Sequence, residues 1–294
     1  MKTKFGFGLD RFSGIYLGVL FVIVFGFWSP DTFLTADTLH LIASQQAVAG
    51  MVAVALLIPM VCGQFDLSVG FTANLCGLIA VVVQNDNGVP AIWAILIAVL
   101  VGAVIGFVNG LVVVVFGVNS FIATLGMGSV LLAVQSIVTN SETPLPVAST
   151  FFSDISQHPL FGFQFVIVYL AVIALVVWWV LAMTPVGRYM YATGSNPIAA
   201  KLAGIQTARW SWISLIASST ISAFAGVLYV SLTGPSLSFN QTLLLPAFAA
   251  VFLGSTQLRP GRFNVWGRCW QSWSSLSGFK DFSWCQASNG YRTC

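Results

Sequence analysis

Residues 90–116 read PAIWAILIAVLVGAVIGFVNGLVVVVF and contain no charged side chain. A helix crosses the hydrocarbon core of a bilayer with roughly 20 mostly apolar residues, and this run is longer than that. A helix that is apolar on every side is either buried in a large protein or spans a membrane. The stretch therefore predicts a transmembrane helix, and it sets the fold class that the rest of the chain has to match.

The composition of the whole chain also predicts a membrane protein. Of the 294 residues, 57% are hydrophobic and 6% are charged, whereas soluble domains carry about 25% charged residues. A soluble fold of this size would lack the polar groups to cover its surface. The net charge of +3 is too small to indicate nucleic acid, and the five cysteines lack the spacing of zinc or disulfide sites. We therefore expect a lipid-facing surface and no bound metal.

Other apolar runs repeat the pattern along the chain. They cover residues 12–28, 41–62, 67–84, 119–139, 161–183, 211–232 and 242–256. Together with residues 90–116 they predict an all-α, polytopic transmembrane helical bundle with about eight spans, of which the last is short enough to be re-entrant.

The distribution of lysine and arginine predicts which connections face the cytoplasm. The N-terminal tail and the connection 184–210 contain both residue types. Neither type occurs in the connections 29–40, 85–89, 140–160 and 233–241. Because positive residues collect on the inner side of a membrane, we expect a multi-pass protein with a cytoplasmic N-terminus.

Asp66 is the one acidic residue that these spans place at membrane depth. An ionised carboxylate there costs about 2.5–3.5 kcal/mol on insertion scales, so it needs partners or water. Asp66 either lies at a pathway between the second and third spans or caps the third span. The cap is the simpler interpretation, and the two are compatible.

Gly102, Gly106 and Gly110 recur every four residues and so lie on one face of the helix that contains them. A stripe of small residues lets a second helix approach closely. We assign these glycines to helix packing rather than to a pathway. Asn109 of the same helix is a candidate donor of an interhelical hydrogen bond.

The longest cytoplasmic connection contains the signals of one short helix. Asn196 suits its cap, Pro197 suits its first position, and Gly204 suits its end. About two turns of helix would then present Ala199 and Ala200 at the membrane surface. The residues alone favour equally a docking element for a soluble partner and an ordinary amphipathic connection.

Motifs of catalysis and of nucleotide binding are absent from the sequence. The chain has no G-x-x-x-x-G-K-[ST] phosphate loop, no H-E-x-x-H and no G-x-S-x-G. We therefore expect a transport subunit that is not an enzyme and that binds no cofactor itself. A stand-alone secondary carrier is an alternative, although one aspartate is thin provision for ion coupling.

Four stretches, in order, resemble the permease subunits of ribose-, xylose- and galactose-type ABC importers. The most specific reads GRYMYATGSNPIAAKLAGI at residues 187–205. The others read FDLSVG at 65–70, NSFIATLG at 119–126 and LPAFAAVFLGST at 245–256. The resemblance covers about residues 15–267 and implies a type II ABC importer-like permease fold in a bacterial cytoplasmic (inner) membrane.

This resemblance implies a function, partners and sites. The function is to form the translocation pathway for a monosaccharide such as ribose, xylose or galactose; a permease for branched-chain amino acids or another small polar solute is the alternative. The partners are ATPase subunits that use the ATP, an extracytoplasmic sugar-binding protein and a second copy of the permease.

The resemblance also assigns residues. An ATPase-coupling loop contains Gly194, Asn196, Ala199, Ala200 and Gly204, and a translocation pathway runs near Asp66, Ser68 and Asn109.

Residues 268–294 differ in character from the permease part, residues 1–267. They contain three cysteines, three tryptophans and many serines, without an apolar run long enough to span. When the stretch is back-translated, a neighbouring frame can encode an apolar continuation. We therefore interpret this tail as the product of a frameshift, with the C-terminal spans of the family missing.

Overall fold

The computed structural model of the protein describes residues 9–28, 35–147, 149–160 and 163–257, which are mostly helical. The helices are α1 (Leu9–Trp28), α2 (Ala36–Val61), α3 (Val69–Asn87), α4 (Ala91–Gly110), α5 (Ser120–Val138), α6 (Thr150–Gln157), α7 (Phe165–Met183), α8 (Pro185–Ser195), α9 (Pro197–Leu202), α10 (Thr207–Thr233) and α11 (Phe239–Gln257). A π-helical turn, Leu111–Val115, extends α4. The short strands β1 (Pro159–Leu160) and β2 (Phe163–Gln164) pair antiparallel.

Six of the described helices contain stretches long and apolar enough to cross a membrane. These are Ile42–Val61, Val69–Asn87, Ala91–Val115, Ser120–Val138, Phe165–Met183 and Thr207–Thr233. Each coincides with a predicted span, so the all-α polytopic fold is confirmed. The first and last predicted spans fall on α1 and α11, where the apolar parts, Val19–Trp28 and Phe239–Phe252, are shorter. A total of eight spans stays a prediction.

The glycine stripe of α4 packs directly against α10. A Cβ atom added at Gly102, Gly106 or Gly110 would collide with that helix. Along the stripe the contact moves from Ala223 back to Trp212, so the two helices run antiparallel. The absence of side chains on this face therefore sets how closely α4 and α10 approach.

α3 packs against α10 in the parallel direction. A Cβ added at Gly77 would lie 2.7 Å from the carbonyl oxygen of Gly226. One added at Gly226 would collide with Ala73. Nearer the start of α3, Asp66 lies beside Ser218, which precedes Gly226 on α10. Parallel α3 and α10 with an antiparallel α4 is the arrangement that alternating membrane crossings require.

The central and peripheral helices differ in what they bury. α2, α3 and α10 are mostly buried, whereas only 22% of the apolar windows of α5 and α7 are buried. Trp93, Leu100 and Ile137 are each more than half exposed. Such a surface is unfavourable in water but has no such penalty in hydrocarbon, so it is the surface that meets lipid.

The connection 184–210 forms two helices where the sequence predicted one. α8 precedes α9, and only Asn196 separates them. Intrinsic helix propensity is a weak signal for a glycine-containing stretch such as α8. Tertiary contacts stabilise it instead, because Met190 is buried and the ring of Tyr189 stacks on Trp210 at 5.5 Å.

We expect Gly106→Ala to destabilise the bundle. The new methyl carbon would lie 2.7 Å from both the carbonyl oxygen of Leu215 and the Cα of Ile216, which belong to the backbone and cannot rotate away. Overpacking of this kind costs about 1–3 kcal/mol. The melting temperature of the purified protein in detergent measures the loss.

Gly126→Ala is the matched control for this variant. Gly126 also lies within a helix, but no atom comes within 4 Å of its added Cβ. Alanine favours a helix over glycine, so the melting temperature should stay unchanged or rise. Equal melting temperatures for the two variants would contradict the close packing of α4 on α10.

Candidate functional site

The connection between α2 and α3, residues 62–68, is an irregular segment inside the bundle. Gly63 leads the chain out of α2 with a φ of +76°, a conformation that favours glycine. Asp66 then lies beside Ser218. At 1.5 Å per residue, Ser218 is ~16 Å along α10 from Thr207. The break between the two helices therefore reaches well into the depth of the membrane.

Side chains of α5 hold the backbone of this break. The N–H of Phe65 donates to Ser120 Oγ at 3.0 Å, and the N–H of Leu67 donates to Thr124 Oγ1 at 3.0 Å. Irregular backbone is tolerated at membrane depth only where protein or water replaces the missing hydrogen bonds. Sequence reasoning did not single out Ser120 and Thr124; the signal was a pair of hydroxyl residues four apart at the start of a span.

Three residues predicted near a pathway meet in one hydrogen-bonded network. Ser68 donates to Asp66 Oδ1 through its hydroxyl at 2.6 Å and through its N–H at 3.1 Å. The amide of Asn109 donates across from α4 to Ser68 Oγ at 2.9 Å. None of the three is more than 1% exposed. The N-cap of α3 is Ser68 and not Asp66, so the predicted cap is wrong by two residues; Asp66 instead binds Ser68 in the turn that leads into the helix.

Polar atoms without hydrogen-bond partners form a row that extends from this network along α3 and α10. Among the described residues they include Asp66 Oδ2, Thr72 Oγ1, Asn74 Oδ1 and the Oγ atoms of Ser218 and Ser222; Ser219 Oγ, on the side of α10 that meets α4, is unpaired as well. All six side chains are fully buried, at 0% exposure. Leaving a buried polar group unpaired costs about 1–3 kcal/mol, so a cluster of such groups indicates a functional demand.

The serines of this row were missed at the level of sequence. Residues 211, 214, 218 and 222 of the apolar span are all serine, and their spacing places them along one side of a helix. That periodicity was the signal that could have found them. Serine is common enough in membrane helices that its meaning depends on which neighbour each hydroxyl faces.

The row is closed at the end away from the break. Asn74 Nδ2 and Gln135 Nε2 donate to the same carbonyl oxygen, that of Leu237, at 3.0 and 2.8 Å. These two bonds hold the connection between α10 and α11 across the bundle. A cavity of about 290 Å³ lies farther along, lined in part by Val81 and Thr233.

The connection 184–210 touches the break directly. A Cβ added at Gly194 would collide with the carbonyl group of Val61 and lie 3.0 Å from the N atom of Gly63. The thiol of Cys62 donates to the carbonyl oxygen of Trp210 at 3.8 Å. Of the residues predicted to form a coupling loop, Gly194 is therefore placed against the helix break.

The other coupling-loop residues form α9 and its ends. Asn196 caps the helix by accepting the N–H of Ala199 at 3.0 Å. Pro197 holds the first position, and Gly204 follows the helix with a φ of +82°. These are the positions that the sequence predicted for the cap, the first residue and the end.

The surface that α9 presents differs from the predicted Ala199–Ala200 face. Ala200 is 4% exposed, because it packs inward against the protein. Ile198 and Leu202, one turn apart, are 74% and 86% exposed. The outward surface of α9 is therefore apolar, and its apolar area is larger than that of two alanine side chains.

Comparisons with known proteins match this architecture to one family. Residues 38–267 match the family described as branched-chain amino acid transport system / permease component. The chain is 30% identical to the ribose import permease protein of Haemophilus influenzae over 268 residues, which cover 89% of this chain and 81% of that protein. It is 30% identical to the fructose import permease protein of Rhizobium meliloti over 257 residues, covering 85% and 71%. No solved structure matches the chain.

We expect Thr124→Val to lower the melting temperature of the protein more than Thr124→Ser does. Valine keeps the shape of the side chain but leaves the N–H of Leu67 without its acceptor. An unpaired buried donor costs about 1–3 kcal/mol. Serine avoids this cost because it keeps a hydroxyl on the Cβ that can accept the same hydrogen bond.

Ser136→Ala controls for the loss of a hydroxyl from α5. Ser136 is exposed, and its hydroxyl donates only to the carbonyl oxygen of Leu132 in the same helix. Its removal should change the melting temperature little. Equal melting temperatures for Thr124→Val and Ser136→Ala would show that α5 does not stabilise the break.

Proposed function

The chain belongs to the family of branched-chain amino acid transport system permease components, and from this premise we propose that it forms the translocation pathway of an ATP-driven importer for a monosaccharide. The protein is a multi-pass membrane protein with six membrane-competent helices among its described residues. The observation that carries the proposal is the buried network of Asp66, Ser68 and Asn109 at a helix break inside that bundle.

A sugar is the substrate class that the relatives favour. By their names, they import ribose, fructose and, at 24% identity, D-allose in Escherichia coli. The chemistry of the network supports the same class over a branched-chain amino acid. Its hydroxyl and amide groups suit the hydroxyls of a sugar, whereas the carboxylate of an amino acid calls for a basic partner, and no member of the network is basic.

The pathway is proposed to pass the break between α2 and α3. Discontinuous helices whose freed backbone and buried polar groups point inward mark substrate sites in membrane transporters. Intramembrane carboxylates such as Asp66 are costly and are found where a pathway needs them. Because the network is fully buried, passage of a solute requires the surrounding helices to separate.

A soluble ATPase subunit is the proposed partner of α9. The chain has no phosphate loop, so the ATP would be used by that subunit. The exposed Ile198 and Leu202 suit insertion of a short helix into an apolar groove. Gly194 offers a route from this helix to the site, since α8 bears directly on the break at Val61.

The remaining partners follow from the proposed orientation. With the N-terminus and the connection 184–210 in the cytoplasm of a bacterium, the connection 140–160 faces outward, where an extracytoplasmic sugar-binding protein would dock. A second copy of the permease would complete a homodimer within the inner membrane. The exposed apolar sides of α5 and α7 supply surface for that copy and for lipid.

The frameshift proposed for residues 268–294 concerns positions outside the described residues. The family match ends at residue 267, where the character of the sequence changes. The nucleotide sequence of the gene tests the proposal, which fails if no alternate frame encodes an apolar continuation.

Membrane vesicles that contain this chain, an ATPase subunit and a sugar-binding protein should accumulate labelled D-ribose or D-fructose only when ATP is supplied on the ATPase side. Asp66→Ala should lose most of that uptake, because Ser68 and the start of α3 lose the oxygen that they bind. If the vesicles accumulate L-leucine but neither D-ribose nor D-fructose, the substrate is an amino acid, as in the alternative. Flux driven by an ion gradient without the ATPase would indicate a secondary carrier.

The double substitution Ile198→Asp with Leu202→Asp should prevent co-purification of the ATPase subunit and abolish uptake. The membrane part should stay folded, because both side chains are already exposed. Leu145→Asp is the matched control, since Leu145 is 79% exposed in the connection proposed to face outward. Equal retention of the ATPase by both proteins would contradict docking through α9.

A further inference from the structure

We propose that the solute moves along the side of α10 that faces α3, and that Ser218 and Ser222, with Thr72 and the free oxygen of Asp66, bind its hydroxyl groups. The ligand class is a neutral polyhydroxylated solute. The inference rests on the proposed transport function and deepens it, because it adds a binding row on α10 to the network at the break.

Register between the two helices places both serines toward α3. Ser218 lies beside the carboxyl group of Asp66, and Gly226 contacts Ala73 of α3. Ser222 is about one helical turn from Ser218 and from Gly226. Ser218 and Gly226, one turn before and one turn after Ser222, both face α3 or the connection that leads into it. Ser222 therefore lies on the same side of α10.

The neighbouring Ser219 faces a different helix. A Cβ added at Gly106 of α4 would lie 2.9 Å from the Cβ of Ser219, and one added at Gly102 would lie 2.9 Å from its carbonyl oxygen. Ser219 therefore lies at the contact of α10 with α4 rather than at its contact with α3. Ser218 and Ser219 share residue type, full burial and an unpaired hydroxyl, but they differ in which helix they face.

The hydroxyls of the row lack the local bond that serine usually makes within a membrane helix. Ser214 illustrates that bond, because its hydroxyl donates to the carbonyl oxygen of Ser211 at 2.7 Å. Ser218 and Ser222 have no such partner among the described residues, and neither does Thr72 on α3. Ser219 lacks this bond as well, so Ser218 and Ser222 are distinguished by an unpaired hydroxyl together with a position toward α3.

A solute with many hydroxyl groups complements this row. Each serine or threonine hydroxyl can donate one hydrogen bond and accept others, as can each hydroxyl of a sugar. The free oxygen of Asp66 can take part in a further hydrogen bond with such a hydroxyl. Groups that are unpaired in the closed bundle and become paired when a solute enters would favour the loaded, open pathway over the empty one.

Site-directed labelling tests the row in the full chain. Ser218→Cys, Ser222→Cys and Ser219→Cys are each made after replacing the five native cysteines with alanine. Vesicles that also contain the ATPase and the binding protein are treated with a hydrophilic, membrane-impermeant thiol reagent during ATP turnover. The thiols at positions 218 and 222 should react several-fold faster than the thiol at 219, and D-ribose or D-fructose should slow their reaction.

Alanine substitutions provide a second readout. Ser222→Ala removes no hydrogen bond of the closed structure, so its melting temperature should match the parent. Ser218→Ala also removes the hydroxyl beside the Asp66 carboxyl group, so its melting temperature should fall slightly at most. Their sugar uptake should fall by about threefold to tenfold, the range that one net hydrogen bond supports. Ser219→Ala should change neither property. A lower melting temperature with proportionate loss of uptake in all three variants would overturn the proposal.

Different results would contradict the transport function and the binding row on α10. If the parent chain with its partners shows no ATP-dependent uptake of either sugar, the proposed function fails. If uptake is present but the thiol at 219 reacts as fast as those at 218 and 222, or if neither sugar protects the latter, the row on α10 is wrong and the transport function stands.

Discussion

The hydrogen-bonding requirement of backbone at membrane depth governs this structure. Hydrocarbon offers no hydrogen-bond partner to a free N–H or C=O group. Where the chain leaves a helix inside a membrane, other parts of the protein must therefore supply these hydrogen bonds. In the break at residues 62–68, Ser120 and Thr124 accept hydrogen bonds from the N–H groups of Phe65 and Leu67. Asp66 accepts one from the N–H of Ser68 in the turn into α3. The buried network of Asp66, Ser68 and Asn109 therefore lies at an irregular segment of the backbone, and the candidate site is built there.

Close helix packing is the second condition, and glycine supplies it. The contacts of α10 with α4 and with α3 bring backbones together where any side chain would intrude. The same device joins the α8–α9 connection to the break, because Gly194 rests on the carbonyl group of Val61. In the proposed complex, this contact is where a displacement of α8 by the ATPase subunit would reach the segment that contains Asp66.

Much of the candidate site was within reach of sequence reasoning. An acidic residue between two apolar runs stands out, and Asn196-Pro197 followed by Gly204 defines a short helix whose cap the structure also contains. Of the predicted outward face of α9, Ala199 is exposed and Ala200 is buried; a helix of six residues gives too little periodicity to tell which side is buried. α8 was missed because its stability comes from Met190 and the Tyr189–Trp210 stack rather than from local propensity.

The sequence by itself determined the class of protein, the positions of six spans and the glycine face of α4, because hydrophobic length and helical spacing are local properties of the chain. Only the tertiary structure decided that Asp66, Ser68 and Asn109 share one network, and that Ser218 faces α3 while Ser219 faces α4. The physical reason is that these residues lie on the connection before α3, on α4 and on α10, which are far apart in sequence. Their meeting depends on interhelical register, which glycine contacts fix and which spacing within a single helix does not encode.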